Sequence, residues 1–196
     1  MDTDLQRIDL KVFLDAPPNY SLDLDPVLTI FDRWRQETDH PEDWVDLADY
    51  AHMHLGPGVM MAGKRAHFAV DTNEPGVGLL YRGRKDFDGA VEERLLEAFR
   101  RALRLMTRLV SEPEFPSGLP VRSEDWLVAI NDRLGFPNDD ATEEQLKPGL
   151  LATLDHIFGE GGYQLERDAD PQHLYSSRLR ADQRRDLNEL LEKAGG

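Results

Sequence analysis

An amphipathic segment at residues 88–110 lies between two β-rich parts of the chain. Apolar residues recur along it at helical spacing and form one continuous face. Asp88 is a suitable N-cap, and Glu112 and Pro113 end the segment. A long helix with one apolar face needs a second layer to cover that face, and the flanking β-rich runs supply a sheet. The sequence therefore predicts an α+β protein.

The first β-rich part begins with a strand and a helix. "IDLKVFL" places Ile8, Leu10 and Val12 on one strand face, and the turn-forming "DAPPN" follows it. Asp25 is a good N-cap for a helix at residues 25–36, and proline is favoured at the first helical position that follows. The order strand, turn, helix opens the predicted fold.

Residues 41–55 fit two structures. Their apolar spacing matches one face of a helix, whereas in a strand one face would carry alternate residues: Trp44, Asp46, Ala48, Tyr50, His52 and His54. The next residues contain the turns Gly56-Pro57-Gly58 and Pro75-Gly76, which separate short β-rich runs. A meander of antiparallel strands is the economical interpretation, so we predict a mixed or mostly antiparallel sheet.

The second half repeats this order. We predict residues 1–112 as an N-terminal half, 113–122 as a proline-rich connector and 123–196 as a C-terminal half, the two packing as one domain. Three to four helices, three of them near residues 25–36, 88–111 and 148–158, would cover one face of the sheet. "LDPVL" and "LKPGL" mark corresponding helix starts, so one hypothesis is two related halves. The alternative is that proline simply favours helix starts.

The charge of the chain limits its partners. The net charge of -15 disfavours nucleic acid and anionic membrane surfaces. The densest basic cluster, Arg82 to Lys85, is small and lacks interleaved aromatic residues, so we interpret it as solvated. The excess of acids predicts either a halophilic source or an ordinary acidic bacterial protein. The chain has no cysteine, no signal-like apolar run and no membrane span, which together predict a cytoplasmic protein.

His52 and His54 suggest a metal site. On one strand face they could bind Zn²⁺, Ni²⁺ or Mn²⁺ together with Asp46, or with Asp71 from a neighbouring strand, and His67 would join only if a hairpin brought it back. Two histidines and a carboxylate leave room for a water, as a hydrolase requires. The alternative is that both histidines are structural. A divalent metal is the only cofactor that the sequence suggests.

Several segments resemble a family of uncharacterised bacterial proteins. "DYAH", "GPGV" and "GLLY" follow the pattern Asp-Tyr-x-His, Gly-Pro-Gly-Val and Gly-Leu-Leu-Tyr, and "INDRL", "FPN" and "YQLERD" extend the resemblance over most of the chain. The resemblance implies no known activity. This chain departs from the pattern at Lys64 and Arg65, where the family commonly has a His-Glu pair.

Three functional hypotheses follow. The leading one is a non-catalytic binding or interaction protein, which predicts a contiguous apolar or charged concavity without converging titratable groups. The second is a metal-dependent hydrolase centred on His52, His54 and Asp46. The third is self-association through an exposed sheet edge, which would make the protein a homo-oligomer. The sequence names neither a partner nor a catalytic residue.

Overall fold

The protein forms one eight-stranded sheet and four helices within the residues that the structure describes. A computed structural model describes residues 4–16, 23–38, 40–50, 53, 58–73, 75–116 and 118–196. The elements in chain order are β1 (Ile8–Leu14), α1 (Asp25–Arg35), β2 (Trp44–Asp49), β3 (Val59–Gly63), β4 (Ala66–Asp71), β5 (Gly78–Gly83), α2 (Val91–Val110), β6 (Val121–Ile130), α3 (Asp140–Phe158), β7 (Tyr163–Arg167), β8 (Tyr175–Ala181) and α4 (Leu187–Lys193).

The strand order is β2-β3-β4-β5-β1-β6-β8-β7, and every neighbouring pair is antiparallel. The predicted α+β class with an antiparallel sheet is therefore confirmed, and β2 shows that the ambiguous segment contains a strand. β1 and β6 are each followed by a helix and then by a meander whose last strand pairs back with them. A duplication that would relate the two halves stays a hypothesis.

One face of the sheet forms the hydrophobic core with the helices. Ile8, Leu10 and Val12 of β1 are fully buried on this face. α1 contacts β2 and β3, α2 contacts β1 and β5, and α3 and α4 pack against α2. The largest rings of the core come from both halves of the chain, because Phe99 of α2 contacts Trp126 of β6 and Phe158 of α3. Both halves thus share one core.

The opposite face, which we call the open face, carries charged side chains. Strand alternation places Asp9, Lys11 and Phe13 of β1 there. Lys11 pairs with Asp71 of β4 at 2.8 Å, and the guanidinium of Arg178 lies over the Phe13 ring at 3.6 Å. The central strand is buried on both sides, although its open-face residues are largely polar. Function is most readily sought on this face because the helices cover the other.

Two predicted helix caps are wrong. Leu24 rather than Asp25 is the N-cap of α1, and Ala90 rather than Asp88 is the N-cap of α2.

Two further local predictions are wrong. The register of β2 shifts between Trp44 and Asp46, and Trp44 packs against the core, so these residues do not share a face as plain alternation predicts. The predicted helix near 148–158 is longer, because Asp139 caps α3 through a 2.8 Å hydrogen bond that the backbone N–H of Thr142 donates. Pro148 therefore lies inside the helix. No helix in the described part of the chain is long and apolar enough to cross a bilayer.

Candidate functional site

The residues predicted to bind a metal are only partly described. His52 and His54 lie outside the described residues, so their places in the structure are not assigned. Asp46 lies on the edge strand β2 and is exposed, and its Oδ1 accepts a 2.8 Å hydrogen bond from the backbone N–H of Leu47. The site formed by His52, His54 and Asp46 stays a prediction.

The other predicted ligands lie apart from Asp46. Asp46 pairs with Ala62 of β3, which in turn pairs with His67 of β4. Two strand spacings of about 4.8 Å therefore separate the backbones of Asp46 and His67, and the His67 ring contacts Arg84 instead. Asp71 also lies on β4, where it pairs with Lys11. The described residues contain no group of three or more His, Asp or Glu side chains arranged to hold a metal ion.

A cleft lined by cations lies at one end of the open face. Its volume is about 620 Å³, and its lining includes five basic residues and no acidic one: Arg7, Lys64, Arg82, Arg84 and Lys85. His67, Gly83 and Asn131 complete the lining. We call this cavity the basic cleft.

Antiparallel pairing brings these distant residues together. Arg82 of β5 pairs with Asp9 on one side and with His67 on the other. Continuing the β1 register by one pair sets Arg7 beside Asn131, whose backbone N–H donates to the Arg7 carbonyl at 2.9 Å. Alternation puts Arg84 on the same face as Arg82, and Lys64 comes from the turn between β3 and β4. The cleft therefore forms where the ends of four strands meet a turn.

Most of the cationic groups of the basic cleft remain available to a ligand. Among the described residues, no carboxylate pairs with the side chains of Arg7, Lys64 or Lys85. Arg82 does pair with Asp9, through a 2.9 Å hydrogen bond from its Nε. A positive cavity in a chain of net charge -15 attracts anions while the surrounding surface repels them.

His67 adds a neutral hydrogen-bonding group. Its Nε2 lies 3.2 Å from Nη1 of Arg84, and a guanidinium can only donate, so Nε2 accepts and the ring proton is on Nδ1. Burial lowers the pKa of His67, and the nearby charges of Arg84 and Arg82 lower it further. The imidazole therefore helps to hold Arg84 in place without adding a charge near neutral pH.

Asp9 pairs with Arg82 but does not itself line the basic cleft. Its Oδ2 accepts hydrogen bonds from Arg82 and, at 3.2 Å, from Nδ2 of Asn131, while its buried Oδ1 has no partner among the described residues. Burial raises the pKa of Asp9 to about 6, against the lowering effect of Arg82. Asp9 thus holds the Arg82 side chain in the lining of the basic cleft.

The basic cleft extends one interpretation of the sequence. Arg84 and Lys85 are exposed, as expected for a solvated cluster, and the segment from Arg82 to Lys85 also lines a cavity together with Arg7 and Lys64. The sequence signal was the alternation of Arg82 and Arg84 on one strand face. Arg7 and Lys64 were not found, because only the strand order makes them neighbours of that segment.

The guanidinium and ammonium groups of the basic cleft are suited to binding an anionic ligand. Guanidinium groups bind phosphate and carboxylate through paired hydrogen bonds, and ammonium groups add point charges. A volume of about 620 Å³ lies within the usual range for small-molecule sites.

The comparisons with known proteins do not add a function. No protein-family model matches the chain, and no curated protein matches it. The resemblance to the uncharacterised bacterial family therefore stays a prediction.

Proposed function

We propose that this protein is a non-catalytic binding protein whose ligand is a small molecule with more than one negative charge. The observation that carries the proposal is the basic cleft, in which five cationic residues and no acidic residue line one cavity of a strongly acidic chain. The leading hypothesis from the sequence predicts a charged concavity, and the basic cleft supports that part of it, although His67 also lines the cleft.

A small ligand fits better than a nucleic acid. A polyanion that extended beyond the cleft would approach a surface whose acids outnumber its bases, 38 to 23 over the whole chain. That approach is repulsive over distances of about 10 Å at moderate ionic strength. A small anion, in contrast, contacts only the cationic lining. The proposal therefore keeps the prediction that nucleic acid is not a partner.

The lysines of this chain offer a matched test. Lys64 and Lys85 line the basic cleft, whereas Lys147 and Lys193 lie on helices and pair with Glu143 and Glu189. We expect the double variant Lys64→Gln/Lys85→Gln to bind pyrophosphate at least about tenfold more weakly than the wild type, since tenfold corresponds to about 1.4 kcal/mol, less than two charge-assisted hydrogen bonds contribute. Isothermal titration calorimetry in buffer of low ionic strength measures the affinity.

The control variant is Lys147→Gln/Lys193→Gln, which changes the net charge by the same amount. We expect it to keep the affinity of the wild type, because surface ion pairs of this kind contribute little. Equal losses of affinity in the two double variants would indicate a general charge effect and contradict a site in the basic cleft. A wild-type protein that does not bind pyrophosphate would contradict the proposal as a whole.

A further inference from the structure

A second, smaller cavity continues from the basic cleft along the open face. It has a volume of about 160 Å³, and Arg82 lines both cavities. Its apolar lining consists of Pro75, Leu80, Leu127, Ala129 and Leu174. Its charged lining consists of two ion pairs, Lys11 with Asp71 and Arg82 with Asp9. We call this cavity the apolar recess.

The sheet register sets the distance between the two cavities. Arg82 and Ala129 both pair with Asp9, whereas Leu80 and Leu127 both pair with Lys11, the next residue of β1 on the same face. Two residues along a strand span about 7 Å. A chain of a few carbon atoms therefore reaches from an anionic group at Arg82 to the two leucines.

The apolar recess holds leucines that are only half buried. Leu80, Leu127 and Leu174 all keep some exposure on the open face, although Ala129 between them is nearly covered. Burial of apolar surface against these side chains is favourable. The volume of about 160 Å³ is roughly a quarter of the 620 Å³ of the basic cleft. The recess is therefore suited to a short aliphatic group.

We propose that the natural ligand is an amphipathic small anion, whose charged group binds in the basic cleft and whose short aliphatic part lies in the apolar recess. This inference rests on the proposed function, because it assigns the anionic group to the basic cleft. It adds the second half of the ligand, so it names a class: short-chain organic phosphates or carboxylates.

A series of alkyl phosphates tests the inference. We expect affinity to rise from methyl to propyl to pentyl phosphate, by up to roughly fourfold for each methylene group that is fully buried, and then to stop rising for longer chains. Isothermal titration calorimetry or ligand-observed NMR at constant ionic strength gives the dissociation constants. Equal affinities for methyl and pentyl phosphate would overturn the inference.

Filling the apolar recess supplies the structural test. In Ala129→Leu the larger side chain occupies the recess, so we expect pyrophosphate and methyl phosphate to bind as in the wild type, while the gain from chain length disappears. Ala129→Val is a second variant that adds less volume and suits a strand. Ala48→Leu makes the same change on the edge strand β2, away from the recess, and should keep the chain-length dependence.

The two proposals fail in different ways. If pyrophosphate does not bind to the wild type, the basic cleft is not an anion site. If pyrophosphate binds and the chain-length gain is absent, or if the gain persists in both Ala129 variants, the basic cleft stands and the apolar recess has no part in ligand binding. Retained pyrophosphate binding also shows that a variant is folded.

Discussion

Asp9 is the residue at which burial and charge oppose each other most directly. Its side chain is 8% exposed, and it pairs with Arg82, whose side chain is 39% exposed. Burial raises the pKa of Asp9 to about 6; Arg82 and the Asn131 amide lower it, and the charge of Asp71 raises it. The lining of the basic cleft thus depends on a carboxylate that burial destabilises in its ionised form.

This conflict predicts a pH-dependent stability. An unfolded aspartate has a pKa of about 3.9, so between about pH 4 and pH 6 the folded protein holds a proton that the unfolded chain has released. The contribution of Asp9 to the free energy of unfolding therefore falls as the pH rises through this window. In Asp9→Asn this loss is absent, so the variant should gain on the order of 3 kcal/mol relative to the wild type between pH 4 and pH 7.

Urea denaturation at several pH values measures this difference. Above about pH 7 Asp9 is ionised in both the folded and the unfolded protein. The free energies of unfolding of the wild type and of Asp9→Asn should therefore run parallel with pH there. Asp182→Asn removes a charge from an exposed aspartate and serves as the control. If the curves of Asp9→Asn and the wild type run parallel from pH 4 upward, Asp9 does not hold its proton in the folded protein.

Helices α2 and α3 approach each other closely at Gly149. A Cβ atom added at Gly149 would lie 2.7 Å from Cγ1 of Val91 and 3.0 Å from the backbone nitrogen of Glu92. The hydroxyl of Thr153 also donates a 3.2 Å hydrogen bond to the Glu92 carbonyl, which holds the same region of the two helices together. The glycine is therefore required by packing, although it lies within a helix.

We expect overpacking in Gly149→Ala to cost about 1 to 3 kcal/mol. The intrinsic preference of alanine for helices offsets about 1 kcal/mol of this cost, so the net destabilisation should be up to about 2 kcal/mol. Gly118→Ala is the matched control, because no atom lies within 4 Å of the added Cβ. Chemical denaturation measures both variants. A Gly149→Ala protein that is about 1 kcal/mol more stable than the wild type would show that α2 and α3 move apart without cost.

The sequence predicts elements with strong local signals better than it predicts contacts between them. The apolar spacing predicts the last residue of α2 correctly. The helix begins at Val91, later than the sequence suggests. There the Glu93 carboxylate accepts a 2.7 Å hydrogen bond from the backbone N–H of Ala90. The start of α3 was misplaced because proline favours the first helical turn, yet the stronger cap at Asp139 lies upstream.

The basic cleft could not be predicted in the same way. Arg7, Lys64 and Arg82 are far apart in the sequence, and they share a cavity because β1 lies between β5 and β6 in the sheet. Long-range strand order depends on how the whole chain buries its apolar faces, which local patterns do not encode. The alternation of Arg82 and Arg84 indicates a charged strand face, but it does not indicate that Arg7 and Lys64 lie beside it.

At the scale of the whole molecule, the excess of negative charge and the positive cleft respond oppositely to salt. The net charge of -15 makes the compact state repel itself, and added salt screens this repulsion. The screening length falls from about 30 Å at 0.01 M to about 3 Å at 1 M ionic strength. The same screening weakens the attraction between the basic cleft and a free anion. The salt concentration thus distinguishes the effect of the acidic surface on stability from the effect of the basic cleft on ligand affinity.

We expect the melting temperature to rise as KCl is increased from 10 mM to 1 M, while the affinity for pyrophosphate falls over the same range. Differential scanning fluorimetry and calorimetric titration measure the two quantities on one preparation. Sucrose at matched osmolality is the control, because it stabilises compact states without screening charge. A melting temperature that stays constant or falls in KCl would show that the acidic surface is not under repulsive strain, and it would remove the physical basis for the hypothesis of a halophilic source.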